Sequence, residues 1–360
     1  MATTKKKPAK KKPGEPAPTA AKPEEATFLA SILANPDDKK ARLIYADLLQ
    51  DRGDPRGEFI ALQSARAELA DDDARVAELD ASIAALLKKH KKAWTAFGEN
   101  KGARWDYRRG FVEKLSIDAK DLIANAATIF ASEPLEELNI WKIDESPILR
   151  GKSRLAPILE LPLHRIKRLS LARCDLGEDD YAALARATTL GNVELLDLTN
   201  GGSVESPIAP LAKATSLPKL RELKLTGAMI GDDQLATLAR STTLRMSRLI
   251  LQRNDLTAAG ARSLAHAVWA PQLVHLDLSS NEMVQDEGLE ALATSPRLTA
   301  LETLVLSYVG LYDRAADLIL GSPVFARLRT LDVSNNMSRE DLARVRAVFG
   351  DRLLPRAPAA

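Results

Sequence analysis

A single cysteine, Cys174, among 360 residues excludes an intrachain disulfide and suits a reducing compartment, so a cytoplasmic protein is expected. Aromatic residues make up only 4% of the chain, so its core cannot rest on a few large anchors and must be assembled from many small contacts. Long apolar runs are lacking as well. No segment approaches roughly 18 uninterrupted apolar residues, and no apolar stretch follows the N-terminal lysines, so neither a membrane span nor a signal peptide is expected. The four histidines have no second His or Cys at ligand spacing, so neither a metal nor a cofactor is expected.

Leucine and alanine dominate the apolar residues, which are 45% of the chain. The net charge of +2 hides an asymmetry: residues 1–24 carry seven lysines against Glu15 and Glu24, net +5, leaving −3 for residues 25–360. This Lys/Pro/Ala-rich opening has no apolar periodicity and cannot offset the entropy of ordering, so a disordered basic tail is expected over 1–24. Lys5, Lys6, Lys7, Lys10, Lys11 and Lys12 could neutralise phosphates without reading sequence, giving a weak nucleic-acid contact. The plainer reading is a solubilising handle.

From residue 25 the pattern becomes helical. Phe28, Leu29 and Ile32 precede Pro36, and Ile44 and Leu48 share a face of the next segment. Between the second and third helices stands Arg52-Gly53-Asp54. Gly53 suits the position past a helix end, Asp54 an N-cap and Pro55 the first helical position, so the tripeptide reads as a joint and not as an adhesion signal. A fourth helix carries the stripe Val76, Leu79, Ile83, Leu86, His90 and Phe97. Asp47 and Asp51 share a helix face, but no nucleophile, histidine or glycine loop accompanies them, so no acid–base site follows.

The segments "ARLIYADLLQDRGDPRGEFIALQ" and "WDYRRGFVEKLSI" resemble the bacterial repeat-companion domain, a short helical module that precedes arrays of repeats. The resemblance covers about residues 26–118 and implies repeats downstream, with no activity of its own.

Those repeats are legible directly. The pattern Leu-x-x-Leu-x-Leu-x-x-(Asn or Cys)-x-Leu begins at 112, 135, 166, 193, 220, 246, 273, 301 and 328, with steps of 26 to 28 from 166 onward. Its clearest copies are Ile166 to Leu176, Met246 to Leu256, and Leu273 to Met283. Each reads as a short strand, a turn and a helix of about three turns. The pattern resembles leucine-rich repeats of the ribonuclease-inhibitor type over about residues 112–349. The expected fold class is therefore α/β: a leucine-rich-repeat solenoid with parallel strands on the concave side and helices on the convex side. A small all-α N-terminal domain (25–111) should precede it, a C-terminal capping helix should close it, and residues 350–360 should be flexible. Cys174, Asn254, Asn281 and Asn336 occupy the slot whose side chain must satisfy backbone groups in the turn, so they are expected to be buried and structural. Ala228, Val309 and Gly201 depart from it.

Function, on this architecture, belongs to side chains alternating with the core leucines. The third strand position supplies Arg168, Leu195, Glu222, Arg248 and His275. The fifth supplies Asp197, Lys224, Ile250, Asp277, Val305 and Asp332, and the seventh supplies Trp141. Nine strands at about 4.8 Å make this face roughly 40 Å long. It mixes both charge signs and has neither a phosphate-binding stripe nor a His/Asp/Cys cluster. A protein partner therefore fits better than nucleic acid, with Trp141, Leu195, Ile250 and Val305 as apolar anchors. The expected function is a monomeric, non-enzymatic interaction scaffold for an unidentified protein. The alternatives are nucleic-acid association through the tail and a GTPase-activating or regulatory leucine-rich-repeat protein.

Overall fold

Most repeats place a leucine between two polar residues, and a three-residue strand turns that pattern into one buried side chain flanked by two on the open face. In the computed structural model, which describes residues 23–94, 102–143, 152–202 and 208–355, eleven strands form one sheet in sequence order. They are β1 (Arg104–Arg108), β2 (Phe111–Ile117), β3 (Glu137–Ile140), β4 (Arg168–Ser170), β5 (Leu195–Asp197), β6 (Glu222–Lys224), β7 (Arg248–Ile250), β8 (His275–Asp277), β9 (Thr303–Val305), β10 (Thr330–Asp332) and β11 (Leu353–Leu354). β1 and β2 form an antiparallel hairpin and every later pair is parallel.

Register aligns ten leucines in one row: Leu115, Leu138, Leu169, Leu196, Leu223, Leu249, Leu276, Leu304, Leu331 and Leu353. None is more than 1% exposed, and each fully buried leucine contributes about 1.5–3 kcal/mol. The row is the spine of the core.

Four helices come first: α1 (Pro23–Ala34), α2 (Lys39–Gln50), α3 (Pro55–Arg66) and α4 (Val76–Trp94). The solenoid's helices are α5 (Ala119–Ser132), α6 (Ala156–Leu159), α7 (Glu178–Arg186), α8 (Asp232–Ala239), α9 (Ala258–Ala265), α10 (Gln285–Ala293), α11 (Ala315–Gly321) and α12 (Arg339–Phe349). At five of the returns to the next strand, a hydroxyl donates to a carbonyl of the preceding repeat: Thr189 to Leu159, Ser216 to Leu184, Ser241 to Ala212, Ser295 to Ala265 and Ser322 to Ala293, all at 2.6–2.8 Å. The fully buried Trp269 Nε1 does the same for Leu238.

Several expectations need correction. β1 lies inside the stretch expected to be helical: Trp105 and Tyr107 pack against the solenoid core, while Arg104, Asp106 and Arg108 face solvent. Residues 350–355, expected to be flexible, form a 3-10 turn and β11, because Leu353 continues the leucine row beside Leu331. α2 buries Ala41, Arg42, Tyr45, Ala46 and Leu49 and leaves Ile44 exposed. Met283 is 60% exposed and Val284 fills the core position in its place. Phe97 and residues 356–360 lie outside the described residues.

Buried charges join the helical module to the solenoid. Arg42, 0% exposed, donates to the Pro36, Arg108 and Arg109 carbonyls and to Glu113 Oε1 at 2.6 Å. Arg56 grips both oxygens of Glu133 at 2.7 and 3.0 Å. Each guanidinium lies 5.1 Å from the centroid of the Phe111 ring. Beside the ring, Gly110 has φ +86, and a Cβ there would stand 2.2 Å from Ile60 Cγ1, so only glycine fits this hairpin turn.

At the α2–α3 joint, the Asp54 carboxylate accepts from Arg56 N at 2.8 Å and Pro55 takes the first helical position. Gly53 has φ +71 with open space around it. Gly53→Ala should therefore lose about 1 kcal/mol through backbone conformation alone, read as a lower urea midpoint, and Gly53→Asn should lose less.

Candidate partner-binding face

Strand register also sets the charges on the concave face. Along the third strand position, Lys114, Glu137, Arg168, Leu195, Glu222 and Arg248 are direct neighbours on β2 to β7. Glu137 bridges Lys114 and Arg168, both at 3.4 Å, and Glu222 bridges Lys224 at 3.5 Å and Arg248 at 3.3 Å. One position earlier runs a second alternating row, Glu136, Lys167, Glu194 and Arg221, in which Lys167 pairs with Glu136 at 2.6 Å. Neither Glu194 nor Arg221 has an ion-pair partner among the described residues.

All of these side chains except Lys224 line a groove of about 590 Å³ that also takes in Asp106, Arg108, Glu113 and Ser247. Leu195 is its floor. At 7% exposure it is not the exposed anchor expected of it, because its neighbours in register are the longer Arg168 and Glu222. It interrupts the alternation of charge midway between the two Glu-centred triads.

The other expected contact residues divide by environment. Trp141 is 39% exposed, and its ring comes within 3.1 Å of where a side chain on Gly102 would begin. Ile250 and Val305 are half-buried. Asp197, Asp277 and Asp332 turn back on their own strands, accepting from the amides of Thr199, Ser279 and Ser334 at 3.0, 2.8 and 2.9 Å. They brace strand ends as much as they face a partner. Burial holds the His275 imidazole below its ordinary range, with the Arg248 charge pushing the same way. The lysines of the tail lie outside the described residues.

Glu194, Arg221, Lys167 and Glu136 escaped a reading confined to odd strand positions. Their signal was the alternation of sign at the repeat period one residue earlier, where the chain enters each strand and side chains splay over the groove.

Beneath the face, Asn254 Nδ2 donates to the Leu225 and Leu251 carbonyls at 2.8 Å while its Oδ1 accepts from Ile230 N. Asn336 joins Leu306, Val333 and Val309 in the same way. Cys174 Sγ lies 3.2 Å from the Ile140 carbonyl. Where Gly201 holds the slot, its backbone carbonyl accepts from Leu176 N at 2.6 Å.

Burial pushes the Cys174 thiol from an ordinary 9.0 to about 12. The thiolate population then falls about a thousandfold. Alkylation by iodoacetamide should be slower by at least that factor in the folded protein than in urea, and comparable rates would contradict a buried thiol. Among the described residues no group of three or more His, Cys, Asp or Glu side chains could hold a metal ion, and no helix is long and apolar enough to cross a membrane.

The fold is a leucine-rich-repeat solenoid, preceded by a helical region. The family model for the leucine-rich repeat matches residues 271–293. No curated protein matches the chain significantly. Among solved structures, a chain of the yeast Rad7–Elc1 complex is 14% identical, covering 91% of this chain and 85% of that one with a TM-score of 0.42. A Bacteroides fragilis protein is 13% identical over 77% and 82%, with a TM-score of 0.38. An internalin of Listeria monocytogenes is 17% identical over 69% and 87%, with a TM-score of 0.28.

Proposed function

We propose that this protein is a non-enzymatic scaffold that binds a protein partner on its concave face, with the groove over Leu195 as the centre of contact. The observation that carries the reading is the groove's pair of opposite charges held in no ion pair among the described residues, Glu194 and Arg221, set over an apolar floor beside two Glu-centred ion-pair triads. A partner that supplies an acid to Arg221 and a base to Glu194 completes the ladder, and charge matching of this kind governs specificity and association rate. Trp141 adds an amphipathic contact at the N-terminal end of the face. In this reading residues 25–111 serve as a repeat-companion module and 112–349 as the repeats. The protein acts as a monomer in the cytoplasm, where one buried cysteine is at no disadvantage.

Affinity capture with wild type, Arg221→Glu and a convex-side control, Arg262→Glu on α9, tests the proposal. Wild type and the control should recover the same proteins, and Arg221→Glu should recover them at least about tenfold less well. Equal recovery by all three would sink it.

A further inference from the structure

A second surface lies away from the concave groove, on α4. At 100° per residue, the half-buried or buried residues Leu79, Ile83, Leu86, Leu87, His90 and Trp94 cluster on the side of the helix that packs on α3. Lys88, Lys89, Lys91 and Lys92 fall within an arc of about 160° opposite, and all four are exposed. Upstream on that arc stand Ala77, Ala81, Ala84 and Ala85, with Glu78 the one acid. The residues four positions before Lys88 and Lys89 are therefore alanines, where a helix built for surface ion pairs carries glutamate. Lys88 and Lys92 are instead like charges at i and i+4, an arrangement that costs helix stability. Complementing the helix dipole needs only the cations of the last turn, Lys91 and Lys92.

The lysine face reaches the edge of the sheet, where Lys91 Nζ lies 5.6 Å from the Trp105 ring centroid on β1. Among the described residues neither Lys88 nor Lys89 has an ion-pair partner. Residues 88–109 sum to +6 and residues 1–24 to +5, leaving −9 for the rest of the chain. Positive charge is thus concentrated in two segments. Trp94 is packed on Phe59 at 4.8 Å and stacked with His90 at 5.4 Å, so the exposed arc offers lysines and alanines but no large apolar side chain to insert into a bilayer.

We propose that the lysine face of α4 binds the phosphate backbone of nucleic acid without reading sequence, the basic tail adding contacts to the same polyanion. The interaction is counterion release, so its signature is the salt dependence of affinity.

The test titrates a short random-sequence DNA duplex with the full-length protein between about 50 and 200 mM salt. Substituting Lys88, Lys89, Lys91 and Lys92 together by Gln should lower the slope of log K against log salt by about 2–4. The corresponding Arg substitutions should preserve it. Substituting the six tail lysines by Gln should leave a residual slope that the α4 change then removes. Circular dichroism establishes that the Gln and Arg variants keep the helix content of wild type. The proposal is overturned if wild type does not bind the duplex, if the Gln variant keeps the full slope, or if the Arg variant loses binding as fully as Gln. It is equally overturned if the α4 lysines prove necessary for binding phosphatidylserine-containing vesicles and not for binding DNA.

Discussion

Replacing Glu133 by alanine is expected to remove about 3–5 kcal/mol of folding free energy, measured by urea unfolding followed by circular dichroism. Glu133 follows α5 with its side chain 1% exposed. It holds Arg56 with both oxygens and accepts from Val112 N at 2.7 Å. Burial pushes its carboxyl up from the usual range, and the Arg56 charge and the Val112 amide draw it back. Alanine would leave a guanidinium enclosed against Phe111 with no counter-charge, together with an unpaired amide at the start of β2, and both penalties run in the same direction. Glu133→Gln keeps an acceptor for Val112 and should fall between wild type and alanine. Replacing both partners, Arg56→Met with Glu133→Leu, should cost less than Glu133→Ala alone, because no charge is then stranded. A loss below about 1 kcal/mol for Glu133→Ala would mean the pair contributes nothing net. Because this joint fixes α2 and α3 to the first strands, unfolding should be one transition and not two.

The same joint explains why two distant sequence segments occur together. Asp54-Pro55-Arg56 starts α3 and delivers the guanidinium, while Arg109-Gly110-Phe111 turns the hairpin and delivers the ring it lies over. From sequence the first could be read as a helix joint, since cap, proline and glycine act locally. The partners could not. Glu113 is 71 residues from Arg42 and Glu133 is 77 from Arg56, and no periodicity announces a pairing at that separation. The repeats were legible for the opposite reason: a core leucine recurring every 26 to 28 residues needs only its neighbour to be buried. β1 did leave a signal, Trp105 and Tyr107 alternating with Arg104, Asp106 and Arg108 before a glycine turn. It follows a helical run and contains no leucine, so a reading guided by the repeat passes over it. The groove was half legible. Alternation assigned the third strand position to the open face, but the depth of Leu195 depends on the length of the side chains beside it, which only the register of adjacent strands reveals.

Within the solenoid, the largest single loss is expected at Asn281. Its side chain is 1% exposed. Nδ2 donates to the Leu278 carbonyl at 2.7 Å and the Leu251 carbonyl at 3.0 Å, and Oδ1 accepts from Asn254 N at 3.1 Å and Leu256 N at 3.3 Å. Leu251 also receives Asn254 Nδ2 and stays satisfied. Asn281→Ala therefore strands two amides and the Leu278 carbonyl between consecutive repeats, each costing about 1–3 kcal/mol if water does not reach it, for an expected total of about 3–5 kcal/mol in urea unfolding. Asn281→Asp retains the acceptor but buries a charge and loses the donor, so it should be no better than alanine. Asn336 provides the comparison: it makes similar bonds but is half-buried, so water can replace what Asn336→Ala removes, and that loss should be smaller by at least about 1 kcal/mol. Equal losses at the two positions would show that burial of the turn does not set the strength of the ladder. A smaller loss at Asn281 than at Asn336 would show that the interior position admits water as readily as the last repeat.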